Sequence, residues 1–531
     1  MKKQSAALLL TLALALPLGG CASQPAEEGP KEEVTAERVV QYGLSNPWDS
    51  LMPYNSPSGS NYSRIIYDKI YDRLAYVHAD GTVTARAAQS WESVEDGYGI
   101  VFHLNPDCAF HDGTPVTAEH WVETIALLTD ENCPALGRSA FSVLTGTDEN
   151  GVATGTEELG VKAVDEHTLQ FTFKTPTIPE EFLLDKNREY YVLPTHLLEE
   201  VDPAELMEQD LWAAPVGSGP CEFVSEVTGN SLTLKANEDY QLGAPGFDTL
   251  VITVMDKSSL LTALIAGDLD YYAFGGSVSA DNAPTATEAG FTVSESEAPN
   301  TFYELMLNCQ TLSDARIRRA VEYALDKELL CEQSTGGYGE VTSTSILPTC
   351  ESYPGPGETT RNVELSMDLL EEAGYDGETY TLACTSNRSG LAALMQQQLA
   401  EAGIQTTIET VDSATLFSGM SDGLYDMAIA SHTPSALPLW FVESRFSAEN
   451  NIFHVDDLSP YLTGIDAIRT ETDQEARKAL VAQLDGLLAE ERPFIPLWFG
   501  TALHVESNTV TGIDYDASSF SNENVWEWEK Q

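Results

Sequence analysis

The sequence predicts an α/β protein of two lobes. Three observations carry that expectation. The chain has 531 residues, and single hydrophobic cores stop growing at roughly 250–300 residues. Short apolar strands are repeatedly followed by a turn and then by a segment of helical periodicity. Residues 380–384, 391–402 and the run opening at Gly403-Ile404-Gln405 read as strand, helix, strand, the unit of a parallel sheet. The apolar content, 42%, is that of an ordinary globular protein.

Taken in order, residues 1–20 read as an export signal, with Lys2-Lys3 ahead of an apolar run over 6–18. The run ends in Leu18-Gly19-Gly20-Cys21, which resembles a bacterial lipobox. In that motif the cysteine is acylated and becomes the first residue, so Cys21 is the expected lipidation site. Residues 21–36 are rich in Glu, Pro and Gly and read as a flexible, lipid-anchored tether. A short strand over 38–44 begins the fold, and a Pro/Asn/Ser loop over 48–60 follows. The helix expected over 62–74 buries Ile65, Ile66, Tyr71 and Leu74.

Residues 101–121 form the most ordered unit. Val101-Phe102-His103-Leu104 is strand-like, Asn105-Pro106-Asp107 breaks it, and residues 110–115 make a second turn around Gly113. Thr117 is an expected N-cap. Trp121, Ile125 and Leu128 then share a helix face at i, i+4 and i+7. A half-buried strand over 168–173 alternates with period two. The glycines of Pro215-Val216-Gly217-Ser218-Gly219-Pro220 suit a tight crossing, and Gly267 is a left-handed helix stop. Further on come a strand near 303–308, a helix over 314–327, a helix over 366–375 stopped at Gly374, and strands over 424–430 and 493–498. The Arg316, Arg318 and Arg319 cluster is expected to pair locally with Asp314 and Glu322.

Charge narrows the partners. There are 27 Lys and Arg against 83 Asp and Glu, a net charge of −56. Nucleic acid would be repelled at every approach. The acids are spread along the chain, as on a solvated surface that keeps an exported protein soluble. Of the eight cysteines, none has C-x-x-C spacing, so neither a zinc ribbon nor a redox pair is indicated. With Cys21 lipidated, the remaining seven cannot all pair within one chain.

The catalytic motifs are weak. Gly419-Met420-Ser421-Asp422-Gly423 fits G-x-S-x-G, but a nucleophile elbow needs a strand before the serine and a helix after it, the reverse of the pattern here. His103, His111, Asp112 and His120 fit no zinc spacing. No Walker A motif occurs, so ATP hydrolysis would belong to a partner.

Several stretches together resemble the family-5 extracellular solute-binding proteins, the receptors of peptide, nickel and related ABC importers. They are Ala87-Ala88-Gln89-Ser90-Trp91 with the unit at 101–121, the Pro215–Pro220 turn, Gly267-Asp268-Leu269-Asp270, the helix over 314–327, and Leu369-Leu370-Glu371-Glu372-Ala373-Gly374-Tyr375. Cys221 stands where the family commonly has an aromatic residue. The resemblance runs from about Arg38 to the C-terminus. It implies a type II periplasmic-binding-protein-like fold of the large peptide-binding class, with an inserted accessory subdomain. Lobe I would comprise 37–75, 212–300 and a C-terminal return at 496–531; the accessory subdomain 76–211; lobe II 301–495.

The resemblance also implies a function without catalysis or cofactor. A monomer outside the cytoplasm, anchored to the cell membrane, would close on an oligopeptide or peptide-like solute and deliver it to an ABC permease with its ATPase subunits. Its ligand loop would be Ser431 to Phe441, where peptide-binding relatives carry an aromatic and then an aspartate for the peptide α-amine. Here His432 takes the aromatic position and Ser435 the aspartate position, and no acid occurs from Ala428 to Val442. A buried ammonium without a carboxylate is unfavourable, which opens two alternatives: a nickel chelate held near His432, or an oligosaccharide or other small metabolite. Trp440, Phe441 and Trp498 are candidate stacking residues, Arg138 a candidate carboxylate or phosphate clamp, and Tyr54 and Ser58 a candidate cleft wall. A lipid-anchored hydrolase using Ser421 is the alternative of a different class. Cys21→Ser is expected to release the protein from membranes into the medium, as read by fractionation; retention at the membrane would refute lipidation.

Overall fold

The computed structural model of the chain describes residues 37–531 except 57–59, 79, 187–189, 273–277, 359, 448–450 and 516–523. The export signal, the tether, Cys21 and Ser58 thus lie outside the described residues. Among the described residues, no helix is long and apolar enough to cross a membrane.

Three sheets organise the fold. The first is five-stranded, in the order Tyr271–Tyr272, Val39–Leu44, Thr249–Val254, Ser231–Ala236, Cys221–Val227. Val39–Leu44 lies parallel to both neighbours, and the remaining pairs are antiparallel. The second is a four-stranded antiparallel sheet of Ala88–Val94, Gly99–Leu104, Thr168–Thr172 and Val161–Asp165. The third has six strands, in the order Gly339–Val341, Phe494–Gly500, Thr301–Leu307, Met427–His432, Thr379–Thr385, Gln405–Val411. Its last two strands are parallel and bracket helix Ser389–Glu401, the β-α-β unit read from the sequence.

Local chemistry explains the helix limits. Helix Ala118–Thr129 starts at Thr117, whose backbone N–H donates to Nδ1 of His120 at 3.1 Å. Trp121, Ile125 and Leu128 are buried beneath it. Helix Lys257–Ala266 ends at Gly267 with φ +79°, and Val363–Ala373 ends at Gly374 with φ +70°, a conformation that favours glycine. Asp314 caps Ala315–Ala324 by accepting from the Arg316 N–H and pairs with the Arg316 guanidinium at 2.6 Å. The expected pairing of Glu322 with this arginine cluster is corrected. Glu322 instead holds Lys327 and Arg492 at 2.7 Å each, and Arg318 reaches the carbonyls of Leu312, Ser313 and Glu491. Gly217 and Gly219 are dictated by space: a Cβ on Gly217 would lie 1.8 Å from the Ile70 carbonyl oxygen.

A second correction concerns the end of lobe II. Strand Phe494–Gly500 lies inside the six-stranded sheet, against Thr301–Leu307, because its residues are apolar on both faces and fully buried. The chain therefore leaves this sheet after Gly500, not at 496. Two adjacent crossings join the lobes. Residues 296–300 and 500–502 are held together by Ser296 N–H to Ala502 O (2.8 Å), Ala502 N–H to Ser296 Oγ (2.9 Å) and Asn300 N–H to Gly500 O (3.0 Å). All seven cysteines of the described residues are buried free thiols. Cys221 opens an edge strand, where burial pushes its thiol up to about 12.

Beneath the first sheet sits a buried charge network. Asp68, Asp72, Arg73 and Arg86 are each at most 1% exposed. Arg73 Nε lies 2.8 Å from Asp68, and Arg86 reaches both aspartates and the hydroxyl of Tyr240. Burial raises the Asp72 carboxyl, and Arg86 draws it back down. Removing one partner of such a network leaves an uncompensated interior charge. Arg86→Leu is expected to lower stability by about 3–5 kcal/mol, measured by urea denaturation.

Candidate functional site

The candidate site forms where the six-stranded sheet ends beside the two crossings. Register places Tyr303 opposite both Ser431 and Trp498, two residues from the Thr301–Gly500 pair. Opposed residues on neighbouring strands share a sheet face. On that face Tyr303 stacks on Trp498, centroids 4.9 Å apart. Arg388, just past the end of strand Thr379–Thr385, places its guanidinium 5.6 Å from the Tyr303 ring centre. It donates to the Ile429 carbonyl (3.2 Å) and to Ser431 Oγ (2.5 Å).

Arg388 is half-buried, and among the described residues no carboxylate pairs with it. Burial lowers its pKa; Tyr303 and Cys384 pull the other way, and no carboxylate does. A half-buried guanidinium with only neutral partners can receive an anion, because its planar fork matches a carboxylate or phosphate.

The opposite face carries a second polar chain. His432, at the end of strand Met427–His432, lies 2.7 Å from Oε1 of Glu304 and 3.0 Å from Nη2 of Arg445. Arginine only donates, so Nδ1 of His432 accepts and Nε2–H donates to Glu304. Glu304 is fully buried. Arg445 also lies near the rings of Phe417 and Phe441, 5.6 and 5.7 Å from their centres. Both ring nitrogens of His432 are engaged within the protein, so the imidazole presents no free lone pair to a metal chelate in this conformation.

The other expected site residues fall into distinct environments. Trp498 and Phe441 are at most 1% exposed; they support the site from the core rather than stack on a solute. Tyr54 is 3% exposed, and its hydroxyl bridges the backbone carbonyl and N–H of Tyr191, each at 2.8 Å. Arg138 is half-buried, and its Nη1 donates to the carbonyls of Asp130 (3.1 Å) and Cys133 (2.9 Å), fixing a turn. Ser435 is half-buried, and its Oγ receives the Leu437 N–H at 3.4 Å. Trp440 is half-buried, lies edge-on to Phe302, donates through Nε1 to the Ser345 carbonyl at 3.0 Å, and lines an interlobe cavity of about 260 Å³.

Arg388, Tyr303, Glu304 and Arg445 were not picked out from the sequence. Ser386-Asn387-Arg388-Ser389 reads as an ordinary polar loop, and only the fold reveals that no acid reaches the guanidinium. Ser421 ends helix Ser413–Ser421, is exposed, and has no strand before it, so it does not occupy a nucleophile elbow. His111 binds the crossing at Gly217 and Gly219 through both ring nitrogens, and Asp112 holds His196 at 2.7 Å. Among the described residues no group of three His, Cys, Asp or Glu is placed to hold a metal ion.

Two α/β lobes joined by paired crossings, with an anion-seeking arginine beside the joint, define a solute-binding receptor. The chain belongs to the bacterial extracellular solute-binding proteins of family 5, whose middle-region model matches residues 82–452. It is 23% identical over 543 residues to the oligopeptide-binding protein AppA of Bacillus subtilis, covering 94% of both chains. The ABC transporter substrate binding protein CtaP of Listeria monocytogenes superposes with a TM-score of 0.80 at 19% identity, over 93% of this chain and 100% of that one. Bacillus subtilis AppA in complex with a nonapeptide gives 0.69 at 20% identity, over 93% of this chain and 99% of that one.

Large buried aromatics carry core energy. Trp498→Ala is expected to lower stability by about 3–5 kcal/mol, whereas Trp440→Ala should lower the melting temperature little; thermal denaturation of both variants tests the assignment.

Proposed function

We propose that this protein is the lipid-anchored, extracytoplasmic receptor of an ABC importer, and that it captures an oligopeptide or peptide-like solute by its carboxylate. The observation that carries this reading is Arg388, a half-buried guanidinium without a carboxylate partner at the sheet end beside the lobe crossings. A terminal carboxylate completes its fork and replaces the water lost on burial. The peptide named for the AppA relative supports the solute class.

The amine end is read differently. Ser435 occupies the position where an aspartate would meet an α-ammonium, and its hydroxyl is directed to the Leu437 N–H. Recognition therefore rests on the carboxylate. Closure of the two lobes over the solute then presents a loaded receptor to the permease.

Calorimetric titration with Ala-Phe-Ala, its N-acetyl form and its C-terminal amide tests this. Amidation is expected to weaken binding at least 10-fold, acetylation less than threefold, and Arg388→Ala should abolish the sensitivity to amidation. Equal binding of the amide by the unaltered protein would overturn the carboxylate reading.

A further inference from the structure

Glu181, on helix Pro179–Asp185, meets Arg477, on helix Gln474–Glu491, through a two-pronged ion pair whose second contact is 2.5 Å. Among the described residues this is the ion pair that joins the 76–211 segment to the second lobe. It divides two interlobe cavities, of about 260 and 700 Å³, which share Ile178, Glu181, Pro438 and Arg477 as lining.

The smaller cavity has an unusual charge balance. Its ionisable lining residues are Glu181, Asp185, Lys186, Glu443, Arg469 and Arg477. Each is already paired within the set: Glu181 with Arg477, Glu443 with Arg469, and Asp185 with Lys186 at 2.8 Å. In a chain with three acids for every base, this neutrality is local. What remains is largely apolar, with Thr175 and Thr177 as its polar members: Val143, Ile178 and Phe182 from one side, Leu437, Leu439 and Trp440 from the other. Trp440 packs edge-on against Phe441, which in turn packs against His432, so the cavity adjoins the His432 face of that sheet end, opposite the face that carries Arg388.

We infer that this cavity is a side-chain subsite that takes a bulky, uncharged apolar group of the solute, an aromatic ring or a branched aliphatic chain. The inference rests on the peptide reading above. An apolar cavity of roughly 150 Å³ already holds a benzene ring, and this one is larger. A charged side chain would enter a space whose counter-ions are committed to one another, and would lose its hydration without recompense. Because the two walls belong to different lobes, filling the cavity and closing the lobes are one event.

The test uses Phe-Ala-Ala, Ala-Phe-Ala, Ala-Ala-Phe and Ala-Ala-Ala, titrated calorimetrically into the full chain and into two variants with a half-buried wall residue replaced, Ile178→Asp and Val143→Asn. At least one phenylalanine peptide should bind roughly 10-fold or more tightly than Ala-Ala-Ala, the yield of burying a phenyl ring. Both variants should erase that advantage while leaving Ala-Ala-Ala unchanged and the melting temperature within a few degrees. Indifference to the phenylalanine, or a preference that survives both substitutions, overturns the subsite while leaving the peptide reading intact. Failure of all four peptides to bind overturns the peptide reading, and the subsite with it.

Discussion

A guanidinium taken partly out of water must find something to replace its hydration, and Arg388 finds no carboxylate. The buried arginines of this chain do: Arg73 and Arg86 share Asp68 and Asp72, and Arg492 holds Glu322, whereas the half-buried Arg138 and Arg445 turn to carbonyls and to His432. Arg388 has a carbonyl, a hydroxyl and the face of Tyr303. Cation–π contact contributes on the order of 1 kcal/mol, less than an ion pair with good geometry supplies in such a setting. With acids in large excess over bases, a missing partner is not a shortage of acids but a position the fold keeps open. Trp498 belongs to the same construction, since the buried indole fixes the ring on which the guanidinium rests.

On the other sheet face the polar groups are closed to one another. Glu304 and Arg445 do not touch; His432 stands between them and carries the hydrogen bonds of both. That relay leaves Arg445 to the aromatic faces of Phe417 and Phe441 and ties the end of the strand to residue 445. The end of a single strand thus separates an arginine with only neutral partners on one face from a histidine-centred network on the other, in which Glu304 Oε2 and Arg445 Nε have no hydrogen-bond partner among the described residues.

Much of this was legible in the sequence wherever a local signal exists. Thr117, Gly267 and Gly374 mark helix limits because caps and left-handed stops are written in one or two residues. The β-α-β unit around Ser389–Glu401 follows from periodicity alone. Signals that depend on long-range pairing were not legible. Phe494–Gly500 reads as a strand, but only its pairing with Thr301–Leu307 and Gly339–Val341 assigns it to the second lobe. Trp498 and Phe441 read as aromatic and therefore as possible stacking groups; burial, a tertiary property, makes them core. Arg138 illustrates the same limit in reverse, since its carbonyl partners at 130 and 133 are invisible to composition.

The ion pair across the lobes shows what drives closure. Glu181 and Arg477 are 26% and 11% exposed in their side chains, and burial raises the Glu181 carboxyl while Arg477 lowers it. These opposed effects leave a small net gain, since partly solvated pairs contribute about 0–1 kcal/mol. A ring entering the apolar cavity contributes roughly 1.5–3 kcal/mol. The pair therefore sets the register in which the lobes meet, and the solute supplies most of the free energy that keeps them together. A ligand shifts such an equilibrium only by its differential affinity for the two states. The walls that create that difference stand on separate lobes, so the same residues that choose the solute also report its presence.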